Sequence, residues 1–118
     1  MRPCRISAAA LLVPILAFNG PALAADAAID QGREVFQKWC AMCHGSGNGM
    51  GATKILQEKY QGALPALLEE RTNLEPEFIK VFIRRWNPGM PAFRRSEISD
   101  PDADALAAYL ARNNPAAD

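Results

Sequence analysis

Apolar positions recur at helical spacing in four segments of the chain, and no stretch alternates apolar and polar residues over the length of a strand. The first helix is predicted over Ala27 to Met42, with Ile29, Gly32, Val35, Phe36 and Trp39 near one face. A glycine in mid-helix costs stability, so Gly32 marks a close backbone approach. With Phe36 one turn on, it forms a surface that receives another helix. Gly45 to Thr53 holds four glycines and reads as a loop. A short helix is expected near Ile55 to Tyr60. Gly62 separates it from a segment starting at Pro65, whose apolar side is Ala66, Leu67 and Leu68. Another helix is predicted from Pro76 to Trp86. Pro76 suits the first helical position, and Leu74 staples onto Ile79. Phe78, Ile79, Val81, Phe82 and Trp86 supply its apolar surface, and Asn87-Pro88-Gly89 stops it. The last helix is predicted over Pro101 to Arg112, capped by Ser99 or Asp100. Its narrow stripe of Leu106, Tyr109 and Leu110 is the natural partner for Gly32 and Phe36. The fold class is all-α.

The N-terminus follows a different pattern. Arg2 and Arg5 precede an apolar run from Ile6 to Phe18, and Ala22-Leu23-Ala24 offers a small-x-small cleavage site. The run is too short for a membrane span and reads as a secretory signal peptide over residues 1–24. The mature domain is then residues 25–118, with no membrane span once the signal is removed. Cys4 leaves with the leader, so Cys40 and Cys43 are the mature chain's two cysteines.

Charge adds little. Without Arg2 and Arg5 the basic count falls from 13 to 11 against 13 acidic residues, a net of about −2. Nothing suggests a nucleic-acid surface. The glycine-rich loop lacks the Lys and Ser or Thr that would make it a phosphate loop.

The chemistry concentrates in Cys40-Ala41-Met42-Cys43-His44. C-x-x-C-H is the pattern of covalent haem attachment: two thiols add to the two vinyl groups, and the histidine becomes an axial ligand. The rival readings are poorer. A redox C-x-x-C belongs beside a βαβ pattern, and a zinc site needs more ligands than one histidine and these cysteines provide. His44 is the chain's sole histidine, so two histidine ligands within one chain are impossible. Met42 lies inside the attachment segment and Met50 only six residues beyond His44. Met90 lies in Asn87-Pro88-Gly89-Met90-Pro91-Ala92-Phe93, a stiff irregular loop able to present a side chain at a fixed point. Met90 is therefore the candidate second ligand; the alternative is an ordinary core methionine.

With these residues in place the chain resembles a class I c-type cytochrome over nearly the whole mature region. Cys40-x-x-Cys43-His44, Gly89-Met90-Pro91 and the terminal helices with Gly32-x-x-x-Phe36 and Leu106-x-x-Tyr109-Leu110 occur in that family's order. More narrowly, Met90-Pro91-Ala92-Phe93 is similar to the methionine loop of small cytochrome subunits that serve periplasmic flavin dehydrogenases, such as p-cresol methylhydroxylase. The resemblance implies the cytochrome c fold, one covalent haem c held by Cys40, Cys43, His44 and Met90, and iron bound by His44 and Met90. One departure stands out. The family commonly has a proline about a dozen residues after the haem histidine, whose carbonyl orients the imidazole. Here no proline occurs between His44 and Leu64, so a carbonyl of the Met50–Ile55 region or Pro65 must serve.

The implied function is one-electron transfer in the periplasm, from a flavin or quinone dehydrogenase to a respiratory acceptor, with no catalytic residues. The alternative is a haem protein with an open or labile sixth position, a small haem enzyme or a sensor. Arg84, Arg85, Arg94 and Arg95 bracket the methionine loop, and either steer an acidic partner or form an ordinary solvated face.

Overall fold

The computed structural model describes residues 21–47 and 51–116. The predicted signal run, Cys4 and Met50 lie outside the described residues. Within them the chain folds as helices α1 (Pro21–Trp39), α2 (Ala41–His44), α3 (Gly51–Tyr60), α4 (Pro76–Arg84) and α5 (Asp100–Ala111), with a 3-10 turn at Leu68–Glu70. No strand occurs among the described residues; one isolated antiparallel bridge joins Asn87 and Met90.

The first and last helices cross at Gly32. An added Cβ there would lie 2.1 Å from the Ala105 carbonyl oxygen and 2.6 Å from the Tyr109 Cβ, so only glycine lets the backbones meet. Phe36 is fully buried against α5, its ring 5.9 Å from that of Tyr109. Leu106 and Ile98 are equally buried, and burial of each such side chain contributes about 1.5–3 kcal/mol. Ala103, Ala105 and Ala107 are buried too, so α5 is enclosed well beyond its predicted stripe. At its start the Ser99 hydroxyl accepts from the Asp102 amide at 3.2 Å, an N-cap. Leu74, Ile79 and Ile83 complete the core from the α4 side.

Four boundaries differ from the sequence-based expectation by two residues or more. α1 starts at Pro21 rather than Ala27, because Ala22 to Ala28 are mostly good helix formers; residues 22–27 are all exposed. The same helix breaks at Cys40 instead of running to Met42, although hydrogen bonds continue through Cys40 N–H to Phe36 O (2.8 Å) and His44 N–H to Cys40 O (2.8 Å). α4 ends at Arg84, since Arg85 is extended and the Phe93 amide donates to the Ile83 carbonyl at 2.8 Å. The glycine-rich loop is also shorter than predicted, because α3 begins at Gly51. The Thr53 hydroxyl on its first turn donates to the Gly45 carbonyl at 3.0 Å.

Candidate functional site

Cys40 stands at the break between α1 and α2, and Cys43 and His44 follow within α2. Cys40 is buried and Cys43, one turn later, is exposed; both thiols are free. Burial, and then the neighbouring Cys43, push the Cys40 thiol up to about 11. That opposes a thiol-redox role, which needs a lowered thiol pKa to make the nucleophilic thiolate. Among the described residues no three His, Cys, Asp or Glu side chains gather as a metal cage.

His44 is half-buried, and burial lowers its pKa, which favours the neutral imidazole that binds metals. Its Nδ1 is buried and has no hydrogen-bond partner among the described residues, so neither Pro65 nor a carbonyl of α3 fills the orienting role expected from the sequence, and Met50 lies outside those residues. Pro65 instead lines a groove of about 530 Å³ with Ser46 and Gly47, two and three residues after His44. No hydrogen bond among the described residues involves Nε2, which leaves that nitrogen available to a metal, whereas the unpartnered Nδ1 lacks the orienting acceptor that a ligating histidine ordinarily has.

Met90 is half-buried and packs against the core. Its loop is built by a tight turn: the Met90 amide donates to the Asn87 carbonyl at 2.9 Å, and the Asn87 amide to the Met90 carbonyl at 3.2 Å. Pro88 presets the first central position and Gly89, at φ 83°, takes the second. Three residues on, the Phe93 ring meets Trp39 edge-on at 5.8 Å. Trp39 immediately precedes Cys40, so this contact joins the methionine loop to the attachment helix.

The arginines around this loop are largely occupied within the chain. Arg84 donates to the carbonyls of Phe93 (3.2 Å) and Ile98 (2.8 Å) and to Asp100 (2.9 Å). Arg94 pairs with Glu97, and Arg95 with Asp100. Arg85 alone of the four has no carboxylate partner among the described residues. Arg94 and Arg95 nonetheless keep side chains 80% and 74% exposed beside the loop. Trp86 is 74% exposed and is not part of the core.

Arg71 is the residue that sequence reasoning passed over. It is 6% exposed, yet the only hydrogen bond of its side chain among the described residues runs from Nε to Asn73 at 2.9 Å. Its guanidinium lies 4.9 Å over the Tyr60 ring, and no carboxylate pairs with it among the described residues. Nothing local in the sequence signals this, because Tyr60 and Arg71 belong to separate segments.

Comparison with known proteins agrees with this geometry. Residues 27–110 match the family model described as "Cytochrome C oxidase, cbb3-type, subunit III". The chain is 34% identical to "Cytochrome c6" of Picosynechococcus sp. over 102 residues, covering 86% of this chain and 85% of that protein. It is 28% identical to "Cytochrome c-552" of Bradyrhizobium diazoefficiens over 105 residues, 89% of this chain and 91% of the relative. No solved structure matches it. The crossed α1 and α5 are the arrangement of the cytochrome c fold, and the cofactor of this family is covalently bound haem c. The chain belongs to the class I c-type cytochromes.

Proposed function

We propose that this protein is a periplasmic one-electron carrier whose single haem c is bound through Cys40 and Cys43, with His44 and Met90 as axial ligands. The observation that carries this reading is the state of His44. It adjoins Cys43, favours the neutral form, and keeps Nε2 without a hydrogen bond among the described residues while Nδ1 faces protein. Haem c, when bound, supplies the ferric–ferrous couple. The protein's part is to hold the ligands still, so that little reorganisation accompanies each transfer. The Asn87–Met90 turn and the Trp39–Phe93 contact restrain the sulfur side. Thioether ligation favours the ferrous form relative to two nitrogen donors. Arg71, a buried cation with no carboxylate partner among the described residues, suits one of the haem's own carboxylates. Phe78 and Phe82, one turn apart on α4, and Trp86 just beyond its end are 56%, 36% and 74% exposed and offer apolar surface suited to a porphyrin.

Residues 1–24 act as the secretory signal. Residues 22–24 lie in the exposed start of α1, so their removal uncovers no core. No described helix is long and apolar enough to cross a membrane. The donor is a periplasmic flavin or quinone dehydrogenase, on the similarity of Met90-Pro91-Ala92-Phe93 to cytochrome subunits of such enzymes, and the acceptor is respiratory.

A visible spectrum with carbon monoxide tests the reading. The account expects a far-red methionine–iron band in the ferric protein and no ready carbon monoxide uptake by the ferrous protein. Ready uptake would indicate an open sixth position and a haem enzyme or sensor.

A further inference from the structure

We propose that Arg84 is a positioning residue for the axial sulfur, acting by closing the neck of the methionine loop; this rests on the reading that Met90 is the iron ligand. Residues 85–92 leave the end of α4 and return at Phe93. At that point both backbone groups of Phe93 are held: its amide donates to the Ile83 carbonyl at 2.8 Å, and its carbonyl accepts from Arg84 Nη1 at 3.2 Å. The same Nη1 reaches the Ile98 carbonyl at 2.8 Å, and Nη2 reaches Asp100 Oδ1 at 2.9 Å. One planar side chain, 21% exposed, thus ties the exit of α4, the return of the loop and the first residue of α5 together. A lysine carries the charge but not the rigid fork that meets acceptors in several directions.

Met90 sits between two fixed points. One is the Asn87–Met90 turn and the other is the Arg84–Phe93 neck, only three residues away. A turn alone fixes the shape of the loop tip and leaves the tip free to swing. The neck fixes where the tip stands relative to the core. Arg84 is therefore spent on geometry rather than on partner steering. Asp100 compensates its charge, and it is shared with Arg95 at 2.9 Å.

The test uses the haem-loaded, full-length-processed protein with Arg84→Lys, Arg84→Gln, Met90→Ala and Gly32→Ala. Cyanide binding to the ferric form reads how often the sulfur leaves the iron. Loss of the fork that bridges Phe93, Ile98 and Asp100 should speed cyanide binding by about tenfold in Arg84→Lys, which keeps the charge, and by at least as much in Arg84→Gln, which does not. Gly32→Ala lowers thermal stability but leaves the cyanide rate within about twofold, which separates positioning from general destabilisation. A cyanide rate in Arg84→Lys equal to wild type, while Met90→Ala has lost the far-red band, overturns this inference and spares the ligand reading. A far-red band that survives in Met90→Ala overturns both. Hydrogen exchange on unaltered protein applies even where a variant fails to take up haem. The Phe93 amide should open at least as fast as cyanide enters, and cyanide entry with that amide still protected would overturn the proposal.

Discussion

Gly32→Ala probes the crossing on which the domain is built. The new methyl carbon would stand 2.1 Å from the Ala105 carbonyl oxygen, 2.6 Å from its carbon and 2.6 Å from the Tyr109 Cβ. Two of these are backbone atoms and the third is a Cβ, so no flexible side chain can swing aside. Ordinary contact begins near 3.4 Å, so α1 and α5 must part by about 1 Å. A gap of that size forfeits a quarter to a half of the dispersion attraction of the contacts it opens, including those around fully buried Phe36 and Leu106. Overpacking of this kind costs about 3 kcal/mol, and the better helix propensity of alanine offsets about 1 kcal/mol. The net loss of about 2 kcal/mol corresponds to a fall of about 10 °C in Tm for a domain of this size. Thermal unfolding followed by far-ultraviolet circular dichroism reads it. Gly51→Ala is the control, since nothing lies within 4 Å of its added carbon. Equal melting of Gly32→Ala and Gly51→Ala would refute the close crossing.

Other predictions follow from the same contacts. Met90→Ala should abolish the far-red ferric band, lower the reduction potential and let carbon monoxide bind the ferrous protein, all measurable by spectroscopy and redox titration. Asn114→Ala removes a two-bond bridge to the Leu74 amide (3.2 Å) and carbonyl (2.9 Å), and should cost about 2 kcal/mol in denaturant unfolding. The Ser99 hydroxyl, and then the Gln31 amide, hold the Asp102 carboxyl below its usual range. The unfolded chain protonates first as pH falls. The added stability is therefore whole above about pH 4 and is lost below it, as pH falls through the lower folded value. Asp102→Asn should flatten that part of the acid unfolding curve.

What was legible in the sequence depended on short spacings. Cys40, Cys43 and His44 carry their chemistry within one turn and a half, so their meaning did not await the fold. Gly32 and Phe36 against Leu106, Tyr109 and Leu110 could be paired because each set marks a face with a 3.6-residue period. The turn at Asn87–Met90 follows from Pro-Gly chemistry. Contacts between distant segments were not legible. Four arginines near a loop suggested a charged rim, but formal charge does not reveal that Arg84 spends its donors on Phe93, Ile98 and Asp100. Arg71 over Tyr60, and Asn114 bridging Leu74, join segments whose proximity only the tertiary fold creates. The end of α4 was misplaced because Arg85 and Trp86 fit a helical pattern, whereas the hydrogen bond from Phe93 to Ile83 draws the chain out of it.

Intact mass spectrometry of the exported protein under denaturing conditions tests the central claim most directly. The account predicts a chain beginning at Ala25, heavier by one haem, with Cys40 and Cys43 both refractory to alkylation. A chain of bare polypeptide mass whose two thiols alkylate freely would contradict it.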